Sequence, residues 1–161
     1  MFTKTRRRAT SLDAMNFEII QKEDFYNILF RDNDFCKNLG KVMLAASMLE
    51  SNLRSFLKNR NVDKVGEKAT LGKLVLLLKK HKLLSKNGQI HFDDLTLKRN
   101  YLAHNLFDLF CNNLEETILP SEKLVGLDVE IFQENTNLLI EDLLYFSEIV
   151  SDAKSKDIEL L

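Results

Sequence analysis

Apolar residues recur through the second quarter of the chain at alternating steps of four and three: Phe35, Leu39, Val42, Ala46, Leu49, Leu53 and Phe56. A helix turns about 100° per residue, so this spacing lays one apolar seam along about six turns. The helix is expected to end at Lys58 or Arg60. Asp32-Asn33-Asp34 precedes it, breaks the segment before, and supplies a capping carboxylate. An earlier helix is expected from Thr10-Ser11-Leu12-Asp13, with Phe17, Ile20, Phe25, Ile28 and Leu29 on its apolar side.

The pattern continues in helical pieces. NVDKVGEKA reads as a polar loop. Thr70 then caps TLGKLVLLLKKHK, a shorter helix that is apolar in the middle and basic at its end, where cations offset exposed carbonyls. Asn87-Gly88 reads as a turn. A fourth helix is expected from Asp93 or Asp94 to Asn112-Asn113. Residues 113–126 hold Pro120 and a Gly and read as a loop. Asp128 caps a last long helix in which Phe132, Leu139, Leu143, Phe146 and Val150 keep heptad-like spacing. With one Pro and only five Gly, the chain has few helix breakers. The expected fold is an all-α, antiparallel up-and-down bundle of four to five helices. One domain spans 12–155, between a flexible basic tail at 1–11 and a C-terminal tail at 156–161.

Composition fits this picture. The chain has 161 residues, 45% hydrophobic and 29% charged, enough for a single domain with a real core. No apolar run approaches ~20 residues, so no membrane span is expected. MFTKTRRRATSLD lacks the apolar stretch of a secretory signal, and the reading is cytoplasmic. Cys36 and Cys111 form no CxxC pair; a disulfide stays open but is not implied, and two buried free thiols is the better reading.

Charge changes the picture more. Residues 54–99 carry 12 basic and 4 acidic groups, while residues 100–161 carry 3 basic and 13 acidic. A nearly neutral protein can thus present a cationic surface that attracts a polyanion, or two solvated faces of opposite sign that guide neighbours together. Lys79, Lys80, Lys82, Lys86 and Lys98 are the candidates for holding an RNA backbone. Arg6-Arg7-Arg8 reads as a basic end.

The chemistry concentrates in LTLKRNYLAHNLF, residues 95–107. On a helical wheel Arg99 falls within about 40° of Leu95, Leu102, Leu106 and Leu109, on the packed side. Asn100, His104 and Asp108 form a separate polar stripe. Arg99 and His104 are roughly 140° apart around the axis and about 7.5 Å apart along it. Either the long Arg side chain bends toward a phosphate held near the imidazole, or the two groups meet across a two-fold axis, one from each subunit. Cleavage of RNA by its own 2′-hydroxyl needs what this set offers. His moves a proton near neutral pH. Arg places a planar cation where negative charge builds on the phosphorane. Asn orients the imidazole or binds a phosphate oxygen. The motif holds no carboxylate cluster, so no metal and no cofactor are called for. The other Arg-Asn pair, Arg60-Asn61, has Val65 where the His would stand.

Arg-Asn-x3-His at Arg99, Asn100 and His104, on the penultimate long helix of a helical bundle, resembles the signature of the HEPN superfamily. In helix order the resemblance covers residues 12–155; in residue identity it centres on 95–107, with a softer match at SMLESNLRSFL and TLGKL. That superfamily consists of small all-α bundles, many of them metal-independent endoribonucleases of toxin–antitoxin, abortive-infection and CRISPR-associated systems. The resemblance implies a homodimer with facing motif helices, Arg99 and His104 catalytic and Asn100 supporting. An antitoxin or another defence-system protein is the implied partner, with RNA as substrate. In a subgroup paired with nucleotidyltransferase antitoxins, a modified Tyr follows the His by two positions. Here Leu106 stands there and Tyr101 lies inside the motif.

The competing explanation for Arg99 is a buried ion pair with Glu50, which flanks the seam beside Leu49; both roles are compatible, with Glu50 orienting the guanidinium. Tyr101 is a candidate for stacking on a base or for an interface. His81 and His91 are expected to be exposed and structural. The alternative function is a catalytically inactive helical dimer that binds RNA or a partner protein as a regulator or antitoxin-like module.

Overall fold

The computed structural model describes residues 22–63, 65–104, 126–153 and 160. It is an all-α bundle of α1 (Lys22–Arg31), α2 (Asn33–Asn59), α3 (Leu71–Lys80), α4 (Lys86–His104) and α5 (Gly126–Ala153). The helix start expected at Thr10–Asp13, and the residues from 105 to Asn113 expected to end α4, lie outside the described residues.

The seam of α2 is the spine of the core. Phe35, Val42, Ala46, Leu49, Leu53 and Phe56 are buried, joined by Ala45 and Leu57, while Leu39 is partly buried. Burying each Leu or Phe contributes about 1.5–3 kcal/mol. From α5, Leu139, Leu143, Phe146 and Val150 complete this core, as their spacing predicts. Leu71, Leu74, Val75 and Leu78 enter from α3, and Phe92 and Leu95 from α4.

Polar ties fix the order of the long helices. Asn38 Nδ2 donates to Asn137 Oδ1 at 2.7 Å, and Asn52 Nδ2 donates to Ser147 Oγ at 2.9 Å. Both numbers of each pair rise together, so α2 and α5 run parallel. α4 packs against α5 through the rings of His91 and Phe92 on Phe146. The two longest described helices are thus parallel neighbours. Leu160, in the segment expected as a C-terminal tail, forms an isolated bridge with Leu84; its N–H donates to Leu83 O at 3.0 Å, and its side chain is buried.

Helix ends follow local chemistry, with departures from expectation: α5 starts at Gly126, so Asp128, expected as its cap, lies inside it, and two more departures follow. Asp32 caps α2 by accepting from Phe35 N–H at 2.9 Å, and its other oxygen accepts from Gln133 on α5. The first departure is at α4, which starts seven residues before Asp93. Ser85 Oγ accepts from Gly88 N–H at 3.0 Å, so Asn87-Gly88 lies in the first helical turn instead of a free turn. A serine cap three residues ahead outweighs the turn preference of the dipeptide. The second departure is at Cys36, which is exposed and not buried. It sits one position off the seam, and its thiol donates to Leu29 O at 3.5 Å. Cys111 lies outside the described residues.

Both α2 and α3 end without glycine. Asn61 and Lys82 adopt φ of 54° and 55°. After α2, Val62 N–H donates to Leu57 O and Asn61 N–H to Lys58 O; after α3, Leu83 N–H donates to Leu78 O and Lys82 N–H to Lys79 O. Each pair is a Schellman closure, which satisfies the last carbonyls and returns an apolar residue to the core. The loop read as wholly polar is therefore anchored by buried Val62 and Ala69 and partly buried Val65.

Candidate active site

Arg99 lies on the packed side of α4, as its place on the wheel requires, and Glu50 is its partner. Arg99 Nη2 donates to Glu50 Oε1 at 3.5 Å, with side-chain exposures of only 17% and 13%. The same carboxylate oxygen accepts Leu71 N–H at 2.9 Å. Glu50 thus caps α3 from a neighbouring helix. Thr70 occupies the cap position with extended backbone, but its side chain makes no capping bond. The carboxylate also complements the positive end of the α3 dipole. One turn further along α2, Arg54 Nη1 donates to Ala69 O at 3.0 Å. Glu50 and Arg54 together fix the junction from Ala69 to Leu71. Arg54 stands outside the motif; its i,i+4 spacing from Glu50 on the edge of the seam is the signal that marks it.

The guanidinium is under-satisfied. Its contact with Glu50 is long, its second bond runs to exposed Asn100 Oδ1 at 3.4 Å, and its buried Nε has no partner among the described residues. Good charge-assisted bonds are about 2.7–2.9 Å. Arg99 is therefore a mostly buried cation with donor capacity left over, beside one carboxylate that it shares with a helix terminus.

His104 closes α4, and its backbone is helical. The side chains of His104 and Tyr101 lie outside the described residues. By register His104 belongs to the face of Ile90, Asp93, Leu97 and Asn100, all exposed. That face is turned away from the one that buries Phe92 and Leu95.

The lysine candidates divide. Lys79 Nζ holds Asp93 at 2.5 and 2.6 Å, and Lys98 holds Asp94 at 2.8 Å. These two cations are matched by carboxylates of α4. Lys80, Lys82 and Lys86 are exposed, with no ion pair among the described residues. His81 caps the end of α3 and is exposed. His91 is exposed as well, its ring 5.6 Å from that of Phe146. Among the described residues no three His, Cys, Asp or Glu side chains are grouped to hold a metal ion. None of the described helices is long and apolar enough to cross a membrane. No protein-family model, curated protein or solved structure matches the chain.

Proposed function

We propose that the chain is a metal-independent endoribonuclease of toxin–antitoxin or antiviral-defence type, acting as a homodimer in which Arg99 of one protomer and His104 of the other serve one phosphodiester. The observation that carries this reading is the state of Arg99: a cation placed on the packed side of the motif helix, braced by Glu50, with its buried Nε unfilled. Its Nη groups are held only by long contacts to Glu50 and Asn100, and its side chain is partly exposed, so these donors can meet a phosphate oxygen, and partial burial strengthens the attraction. Exposed Ile90 and Leu97 share a face with Asn100 and the register position of His104. Pairing two copies of α4 along that face would bury them and join the separated halves of the motif.

In this mechanism an imidazole takes the proton from the ribose 2′-hydroxyl. The O2′–P bond forms and the P–O5′ bond breaks. The leaving 5′-oxygen takes a proton from water, the imidazolium returns its proton to solvent, and the products are a 2′,3′-cyclic phosphate and a 5′-hydroxyl. His104 supplies the proton transfer, Arg99 stabilises the phosphorane oxygens, and Asn100 orients the imidazole or a phosphate oxygen. Glu50 is a positioning residue for Arg99. Lys80, Lys82 and Lys86 supply sequence-independent attraction for the RNA backbone.

The second reading, a silent dimer that binds RNA or a partner protein, draws on the same contact. The Glu50 bridge gives Arg99 a structural task that needs no substrate. The test is incubation of total RNA with excess EDTA and purified wild type, Arg99→Ala or His104→Ala. Cleavage by wild type, lowered about 10²–10⁴-fold in either variant, supports the enzyme. Failure of all three to cut supports the binding module. Equal cleavage by all three reports a contaminant and removes the case for the motif.

A further inference from the structure

Away from the motif, α3 borders a cleft of about 550 Å³ lined by Lys68, Ala69, Lys73, Leu76, Leu77 and Lys80. Its floor is apolar and its rim cationic. Leu76 is 66% exposed, and Lys68, Lys73 and Lys80 are exposed with no ion pair among the described residues. Lys73 and Lys80 are seven residues apart, with Leu76 between them, so the row reads cation, apolar, cation over about 10.5 Å.

The outer face of α5 carries the complementary row. Glu134, Leu138, Glu141, Tyr145 and Glu148 are all exposed. The glutamates recur every seven residues, at the same interval of about 10.5 Å, with an apolar side chain in each gap. None of them is in an ion pair among the described residues. We propose that the α3 cleft of one copy takes the α5 ridge of a second copy, with Lys73 and Lys80 against Glu141 and Glu148 and Leu76 against Tyr145. The equal repeat lets both charge and apolar positions match along one pair of helices. An RNA backbone would satisfy the lysines and leave the apolar floor without a counterpart; α5 satisfies both.

Cleft and ridge lie on different elements, so the contact is head-to-tail and leaves a free cleft at one end and a free ridge at the other. It is separate from the α4 face invoked for catalysis and shares only Lys80 with the RNA-attracting lysines; the variants below leave Lys80 in place, so it stands or falls independently of cleavage. Two three-turn rows bury less than a standard interface of about 1,200–2,000 Å², so the association is weak and salt-sensitive.

The experiment is sedimentation velocity on the full chain after ribonuclease treatment, from low to high micromolar protein, in dilute buffer and in roughly 0.5 M salt. Wild type is expected to form species larger than its basal unit in dilute buffer and to lose them in salt. Lys68→Glu/Lys73→Glu and Glu141→Lys/Glu148→Lys, all at exposed positions, are each expected to lose the larger species while melting as wild type does by circular dichroism. Mixed together, the two variants are expected to associate again, because one still has its ridge and the other its cleft. The proposal is overturned by a wild type that never associates, by association that vanishes with ribonuclease, by variants that associate like wild type, or by a mixture that behaves as the sum of its parts.

Discussion

Replacing Glu50 by alanine removes two interactions at once, and the structure sets the scale of each. The carboxylate accepts Leu71 N–H at 2.9 Å at the start of α3. Losing a charged helix cap costs about 1–2 kcal/mol. The contact with Arg99 at 3.5 Å corresponds to about 5 kcal/mol of gross attraction at an effective dielectric near 20. Desolvation of both groups offsets most of that, yet removing one partner strands the other in a mostly buried position. Because the contact is long and Arg99 keeps 17% of its side chain exposed, the second loss is about 1–2 kcal/mol, below that of a fully buried pair. Glu50→Ala is therefore expected to lose about 2–4 kcal/mol in total. Glu50→Gln keeps an acceptor oxygen for Leu71 and loses only the charge, so it should lose about half as much. Urea unfolding followed by circular dichroism suits a chain without tryptophan. Combining Glu50→Gln with Arg99→Met should cost less than the sum of the two, by about 1 kcal/mol. A Glu50→Ala variant within about 0.5 kcal/mol of wild type would refute the bridging role.

Three further outcomes follow from the geometry. Lys82→Gly relieves a left-handed backbone and should gain about 0.5–1 kcal/mol, seen as a rise of a few degrees in Tm; no rise would mean that the αL turn carries little strain. Asn52→Ala leaves buried Ser147 without its α2 partner and should cost about 1–3 kcal/mol by urea unfolding, and a neutral result would show that the α2–α5 pair does not need this tie. A Cβ on Gly72 would stand 3.3 Å from Thr96 Cγ2, so Gly72→Ala should be near neutral and Gly72→Val should cost about 1–3 kcal/mol in the same assay; a tolerated valine would place the helices further apart than they are here.

What the sequence made legible was what repeats. The 4-3 spacing of α2 and the heptad spacing of α5 identified buried positions because a helix must present the same face every turn. The wheel likewise placed Arg99 inward and pointed to Glu50 as its partner, since both flank the packed side. What depends on distant chain was not legible. A carboxylate 21 residues upstream caps α3, so Thr70 misled by being the nearest oxygen. The start of α4 turned on competition between Ser85 and the Asn87-Gly88 dipeptide, which propensity alone decides poorly. Asn61 and Lys82 carry αL closures that glycine would normally announce, and Leu160 joins the fold through one bridge. The Nε of Arg99, which has no partner among the described residues, reflects packing and leaves no mark in sequence spacing.

Mixing two single-site variants tests the central claim most directly. Arg99→Ala retains the imidazole and His104→Ala retains the guanidinium, so a dimer of unlike chains rebuilds one composite site of two. After subunit exchange, half the dimers are mixed, and RNA cleavage in EDTA should return to about a quarter of the wild-type level. Folded, exchanged variants that stay inactive together would contradict a site shared between protomers.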